Sequence, residues 1–223
     1  AAFSAHVSSR NMQVEIASQQ LAALKNGTLD LLLGGGYSYF SSEENLAALE
    51  SAKQGGLTFL EDFNSLKNAN LPLLGLFSSD VLDTTEKPSL AEMTYLALQK
   101  LSADKNGFFL MVEGSQIDTR AHENNLWGEI GEMRNFDNAI AVALNFVCRN
   151  PDTVLIITAD HETGGLQIPE NLTKDTISDC SFTNGEHSNR NVPVYAIGYG
   201  TEKLGVEQDN TNIAKFIFEL LGK

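Results

Sequence analysis

Hydrophobic and polar positions follow two alternating rhythms along the chain. Short, mostly apolar runs read as buried strands at residues 29–33, 57–60, 73–77, 107–112, 153–161 and 192–197. Between them, apolar positions three and four apart read as helices. Val14, Ile16, Leu21, Ala22 and Leu24 place one over 14–25, stopped by Asn26-Gly27. Residues 42–54 form another, with Ser41 or Ser42 positioned to cap it and Glu43 and Glu44 in its first turn. Pro88 opens a third that runs through Leu101. Ile130, Met133, Phe136, Ile140, Leu144 and Val147 carry the helical period of 127–149. Residues 212–221 form a closing amphipathic helix, and residues 1–9 a short opening one with Arg10 at its end. Residues 181–191 are polar and loop-like and hold His187. Strands alternating with helices predict an α/β fold: a mostly parallel central sheet with helices on both faces, in a single domain over 1–223.

Composition narrows this picture. A net charge of −14 disfavours a nucleic-acid partner, because phosphate backbones attract a basic surface. With 42% apolar residues among 223, the chain can fill a core of one large domain. No apolar run approaches the roughly 18 residues of a membrane span. No signal peptide is visible, and the abrupt opening AAFSAHVSSR reads as a cut. Gly34-Gly35-Gly36 lets the backbone turn and pass closely, but it lacks the GxGxxG spacing of a dinucleotide loop. Cys148 and Cys180 make no CxxC; Cys148, on an apolar helix, reads as a buried thiol, and pairing between the two stays open.

Candidate chemistry gathers where two strands end. The run 107–112 gives way to Glu113, then Asp118 and His122, and the run 153–161 ends in Asp160 and His161. Ligands of open α/β sheets bind at the carboxyl ends of the strands. Acid and imidazole delivered by two strands at such a rim suggest a metal site with more than one ion. Asp118 and His122, at i and i+4, share one face of a helical turn. With a third ligand they make a nitrogen and oxygen site suited to zinc, with room for water or substrate. Asp160 and His161 reach one ion from a turn, and Glu113 is a hard oxygen ligand better suited to magnesium. The opposing reading is a set of strand-end acids that cap helices and pair with solvent.

Two of these stretches, VEGSQIDTRAH at 112–122 and TADHETGG at 158–165, resemble the metal motifs of the alkaline phosphatase family. AAFSAHVSSR at 1–10, LDLLLGGG at 29–36, PLLGLF at 72–77, PSLAEMTYLAL at 88–98 and GEHSNRNVPVYAIGYG at 185–200 fall in family order, so the resemblance runs from end to end. It implies a three-layer sandwich and metal-dependent hydrolysis of phosphate monoesters through a phosphoserine intermediate. It also implies two Zn2+ and one Mg2+. Asp118, His122 and His187 resemble the protein ligands of the first zinc, Asp160 and His161 two ligands of the second, and Glu113 a magnesium ligand. Arg10 resembles the guanidinium that grips two phosphate oxygens, a task that suits a planar fork. His6 stays structural. Thr119 stands where some relatives carry a lysine, histidine or tryptophan that tunes phosphate contact. Only 25 residues separate His161 from His187, which implies a compact member.

The family's serine nucleophile precedes the segment matched by residues 1–10, as do an aspartate shared by the second zinc and magnesium and a magnesium threonine. The sequence therefore reads as the C-terminal part of an alkaline phosphatase, with the N-terminal part missing. It is expected to be inactive alone and to form a homodimer or associate with the missing segment. A phosphate monoester and inorganic phosphate are the expected small-molecule partners, with no nucleic acid and no membrane span. The resemblance implies a periplasmic, secreted or surface-anchored location. The alternatives are a sister phosphodiesterase, sulfatase or phosphoglycerate mutase type on the same scaffold, a non-catalytic zinc- or phosphate-binding fragment, and a metal-free structural domain.

Overall fold

The computed structural model describes residues 3–84, 87–205 and 207–222. The chain divides into two units, Ala1–Val112 and Glu113–Lys223. In the first, α1 (Gln13–Asn26) buries Ile16, Ala17, Leu21 and Leu24, the stripe its spacing predicts, and ends at Gly27 in the left-handed region. There follow β1 (Leu31–Gly34), α2 (Tyr37–Phe40), α3 (Glu43–Gln54), β2 (Thr58–Leu60), a 3-10 turn (Phe63–Asn68), β3 (Leu73–Leu76) and α4 (Leu90–Leu101).

The three strands pair in parallel in the order β1–β3–β2. Every residue of the central strand β3 is buried. Leu74 and Leu76 join a cluster with Leu21 and Leu24 of α1, Phe40 of α2 and Leu49 of α3. Leu73 lies on the opposite face by strand alternation and is fully buried too. Both faces of the strand are therefore covered, as parallel sheets require. After β1 the glycines allow the close approach expected of them. A Cβ on Gly35 would lie 2.1 Å from the Asp80 carbonyl oxygen, and Gly36 N–H donates to that oxygen at 2.7 Å.

Two expectations in this unit fail. Of the helix expected over 1–9, residues 1 and 2 lie outside the described residues, and Phe3–Ser9 is turn and coil. Gln19 of α1 takes both polar groups of His6, accepting its N–H at 2.7 Å and donating to its carbonyl at 3.1 Å. Those groups are then lost to any helical ladder. The run 107–112 is not a strand. Its exposure alternates as an extended chain's would, with Phe109 49% and Met111 40% exposed, but it pairs with no strand among the described residues. The Phe109 ring stacks on Phe3 instead, 5.8 Å between centroids. Ser42 takes the N-cap position of α3, yet its hydroxyl makes no capping bond.

The second unit holds α5 (Gln116–His122), α6 (Leu126–Arg149), β4 (Leu155–Thr158), β5 (Glu162–Thr163), β6 (His187–Ser188), β7 (Val194–Ile197) and α7 (Thr211–Leu220). Its pairings are antiparallel: β4 with β7, Leu155 opposite Ile197, and β5 with β6. Asn125 caps α6 by accepting Gly128 N–H at 3.0 Å. The expected apolar stripe of α6 is only part-covered. Val147 is buried, Met133 and Leu144 are exposed, and the polar Glu132 and Asn135 are buried in their place. Ile130 and Met133 instead line an open groove of about 350 Å3 with Leu126 and Leu166. Cys148 faces solvent, against expectation, because it lies one position beyond the buried Val147; both cysteines are free thiols.

At α4, Ser89 Oγ accepts Glu92 N–H at 3.2 Å while the Glu92 carboxylate accepts Ser89 N–H at 3.0 Å, a reciprocal cap. The Ser89 backbone bond holds the Glu92 carboxyl below its ordinary range. That contribution is present above the unfolded carboxylate's pKa and is lost as pH falls through the lowered folded value. Ser89→Ala is expected to cost about 1 kcal/mol near neutral pH. Urea unfolding near neutral pH should show that cost; an unchanged midpoint there would contradict the cap.

Candidate metal centre

Asp118 sits in the first turn of α5 and His122 at its end, four residues on, so their side chains share one face. β4 stops at Thr158, and the chain turns through Asp160 and His161 into β5. β5 then pairs with β6 in the register Glu162 opposite Ser188 and Thr163 opposite His187. Residues directly opposite in such a ribbon share a face. Thr163 and His187 therefore face one way, and Glu162 and Ser188 the other.

Three donor atoms meet at this place. His122 Nε2 lies 3.1 Å from His187 Nε2, Asp118 Oδ1 lies 3.4 Å from His122 Nε2, and Asp118 Oδ1 lies 3.6 Å from His187 Nε2. His161 stands beside them, its ring stacked on that of His187 at 3.5 Å between centroids. Asp118, His161 and His187 offer ligand atoms that all lie within 4.8 Å of one another. Zinc bound at roughly 2.0–2.1 Å in a tetrahedral site holds its ligand atoms about 3.3 Å apart. The three contacts among Asp118, His122 and His187 have the length of such edges, and their donor set suits that ion.

Neighbouring groups assign the ring protons. The Gly185 carbonyl oxygen lies 2.7 Å from His122 Nδ1, and a carbonyl only accepts, so the hydrogen of the neutral ring sits on Nδ1 and the Nε2 lone pair points into the cluster. Thr163 Oγ1 donates to Asp118 Oδ1 at 2.6 Å. Having given its one proton there, the hydroxyl accepts from His161 Nδ1 at 3.2 Å. His161 Nε2 is then left with its lone pair, 3.4 Å from Asp160 Oδ2. Such outer partners commonly fix metal-binding imidazoles.

The turn that carries Thr163 needs its glycines. Gly164 has φ +84°, and a Cβ there would lie 2.7 Å from the Phe182 ring and 3.0 Å from the Ala121 carbonyl oxygen. The other predicted residues are not drawn into the cluster. The Asp160 side chain is 87% exposed. Glu113 is exposed and makes no side-chain hydrogen bond or ion pair among the described residues. Arg10 belongs to the first unit, where it is exposed and its guanidinium has no partner among the described residues. His6 keeps a structural place through its backbone bonds to Gln19.

Against this geometry the comparisons are specific. The family model described as Alkaline phosphatase matches residues 1–175. The chain belongs to the alkaline phosphatase family. Alkaline phosphatase 3 of Bacillus subtilis is 31% identical over 99% of the chain, and the repressible alkaline phosphatase of Saccharomyces cerevisiae is 37% identical over 78% of it. The chain spans 64% of the length of the Bacillus relative and the match covers 37% of the yeast one. The solved alkaline phosphatase of the Antarctic bacterium TAB5 superposes with a TM-score of 0.86 at 33% identity, over 99% of this chain and 67% of that one. A TAB5 variant, solved with Mg bound, gives 0.85. The α/β reading, with its parallel sheet, agrees with these neighbours. No helix among the described residues is long and apolar enough to cross a membrane.

Thr163, the Gly185 carbonyl and the Glu162–Ser188 pair were not anticipated as parts of the site. Thr163 had a readable signal, since it lies two positions after His161 in a motif that ends in two glycines. Hydrogen bonds from Ser188 and then Gly165, with the positive Arg190, hold the Glu162 carboxyl below its ordinary range against the opposing effect of burial. Burial, and then the charge of Glu162, push the Glu129 carboxyl up. Glu129 therefore favours the folded state while protonated, and that support is lost as pH rises through its raised value. Glu129→Gln is expected to raise the melting temperature near pH 7 and to lose this advantage by about pH 4. Equal melting curves of the two proteins at both pH values would contradict it.

Proposed function

We propose that the protein to which these residues belong is a metal-dependent phosphate monoester hydrolase that works through a phosphoserine. The observation that carries the reading is the set of three zinc-length edges among Asp118, His122 and His187. In this reading these three hold a first zinc, Asp160 and His161 contribute to a second, and Glu113 serves magnesium. Bound zinc and magnesium supply Lewis-acid charge stabilisation and acidify hydroxyl groups bound to them.

The chain's own residues do the rest. The Gly185 carbonyl and the Thr163 hydroxyl keep the Nε2 lone pairs of His122 and His161 available. Asp118 brings a negative charge that offsets the cation it would share with two neutral imidazoles. Arg10, with five donors in a fixed fork, binds non-bridging phosphate oxygens, where negative charge must be stabilised. Ser4, Ser8 and Ser9 lie in the segment matched to the phosphate-binding arginine and not in that of the nucleophile. The 223-residue polypeptide by itself is accordingly proposed to take up metal without turning over substrate. Homodimerisation and a periplasmic, secreted or surface-anchored location belong to the same proposal and rest on the resemblance.

Metal analysis of the purified chain after dialysis tests the reading. About one tight zinc per chain is expected, lost in His122→Ala. No zinc in the wild type, or zinc unchanged in the variant, would overturn the first-zinc assignment. Hydrolysis of an aryl phosphate by the wild-type chain above a zinc-only blank would overturn the proposal that it is inactive alone.

A further inference from the structure

The face of the β5–β6 ribbon turned away from the donor cluster carries a connection that the proposed chemistry does not use. Glu162 follows His161 directly, and Ser188 follows His187 directly. The two stand opposite each other in the ribbon. One carboxylate oxygen of Glu162 accepts the Ser188 hydroxyl, and the other accepts Gly165 N–H at 2.7 Å. The carboxylate thus ties the strand that follows His161 to the strand that begins with His187, and both to the turn that carries Gly164 and Gly165. A two-stranded ribbon with one residue pair on each face has little else to fix its register. Its backbone closure adds Gly164 N–H donating to the Glu186 carbonyl at 2.9 Å and Thr183 N–H to the Gly164 carbonyl at 3.1 Å.

We propose that Glu162 and Ser188 are positioning residues of the metal centre: their bond holds the ribbon in the register that sets His187 against His161 and opposite Asp118. A slip of one residue would turn His187 and Thr163 to the other face, since strand side chains alternate. A looser ribbon would open the 3.6 Å edge between His187 and Asp118 before the 3.4 Å edge between Asp118 and His122, because α5 carries both ends of the latter. The inference rests on the metal reading of this cluster. Glu162 itself touches no donor of the cluster; it acts through the ribbon.

The test is titration of the dialysed chain with Co2+, read by visible absorption, and with Zn2+ in competition. It compares the wild type with Glu162→Ala, Ser188→Ala and Glu162→Gln. Glutamine keeps an acceptor for Gly165 and a donor that a rotated Ser188 hydroxyl accepts. Glu162→Ala and Ser188→Ala are each expected to weaken metal binding about tenfold, the low end for outer partners of metal ligands, and to change the visible band of the saturated Co2+ form. Glu162→Gln is expected to restore the wild-type band and most of the affinity. A loss of global stability alone would lower affinity but leave the saturated band unchanged, and that result would overturn the proposal. Wild-type affinity and band in both alanine variants would also overturn it. Absence of Co2+ and Zn2+ binding by the wild-type chain would overturn the metal reading itself, a failure distinct from the other two. Because Glu162→Ala and Ser188→Ala break the same bond from opposite strands, either variant suffices if the other does not fold.

Discussion

Three nitrogen and oxygen donor atoms crowd one another in the second unit, and local geometry holds them there. His122 Nε2, His187 Nε2 and Asp118 Oδ1 sit within 3.6 Å of one another. Without a proton or a cation among them this grouping is unfavourable, because each donor also gives up some water to be there. The chain sets it through local geometry as well as through the contacts among the donors. A single helical turn sets Asp118 against His122, a cross-strand pair sets His187 beside Thr163, and hydrogen bonds outside the cluster aim the rings. In the proposed reading, the arrangement is pre-organised for a cation.

The two units differ in what holds them. The first is a conventional apolar core, in which Leu66, Leu73 and Leu74 reach zero exposure and Leu74 joins the cluster formed with α1, α2 and α3. Among the described residues of the second, the buried apolar side chains are Ala121, Ala139, Val147 and Phe216, and Glu132 and Asn135 are buried beside them. Small and polar interiors give little hydrophobic stabilisation, which scales with apolar area removed from water. In the proposed reading, the binding free energy of an ion adds to the folding free energy of this unit, so assembling the centre and folding the unit are coupled.

Periodicity made the helices legible. The stripe of α1, the length of α4 and the extent of α6 all follow from local rules of spacing. The miss at 107–112 shows where those rules stop: five large apolar residues in a row state a wish to be buried, but a strand exists only where another backbone accepts its hydrogen bonds. The stripe of α6 shows the same limit, since its period is right while the face it buries is set by neighbours the sequence does not reveal. Among the candidate ligands, Asp118, His122, Asp160 and His161 stood out because each lies in a compact motif. His187 lies in a stretch that reads as a polar loop and folds as β6, and only the likeness of its segment to a known family marked it. Ser188 was invisible as chemistry because a hydroxyl is unremarkable until its partner is known, and Thr163 was marked only by its place two positions after His161. The carbonyl of Gly185 has no side-chain signature at all.

That carbonyl has a consequence for how the site tolerates change. The acceptor that sets the tautomer of His122 belongs to the main chain, so no substitution at residue 185 deletes it as replacing a carboxylate would delete one. What can move it is the path of the backbone, and that path is anchored by Gly164, which takes Asn184 N–H at 3.2 Å and pairs with Glu186. The orientation of this imidazole is therefore inherited from loop shape rather than from residue identity. A change of side chain at residue 185 leaves the acceptor in place, and damage to that orientation is to be sought at the turn glycines, some distance away in sequence.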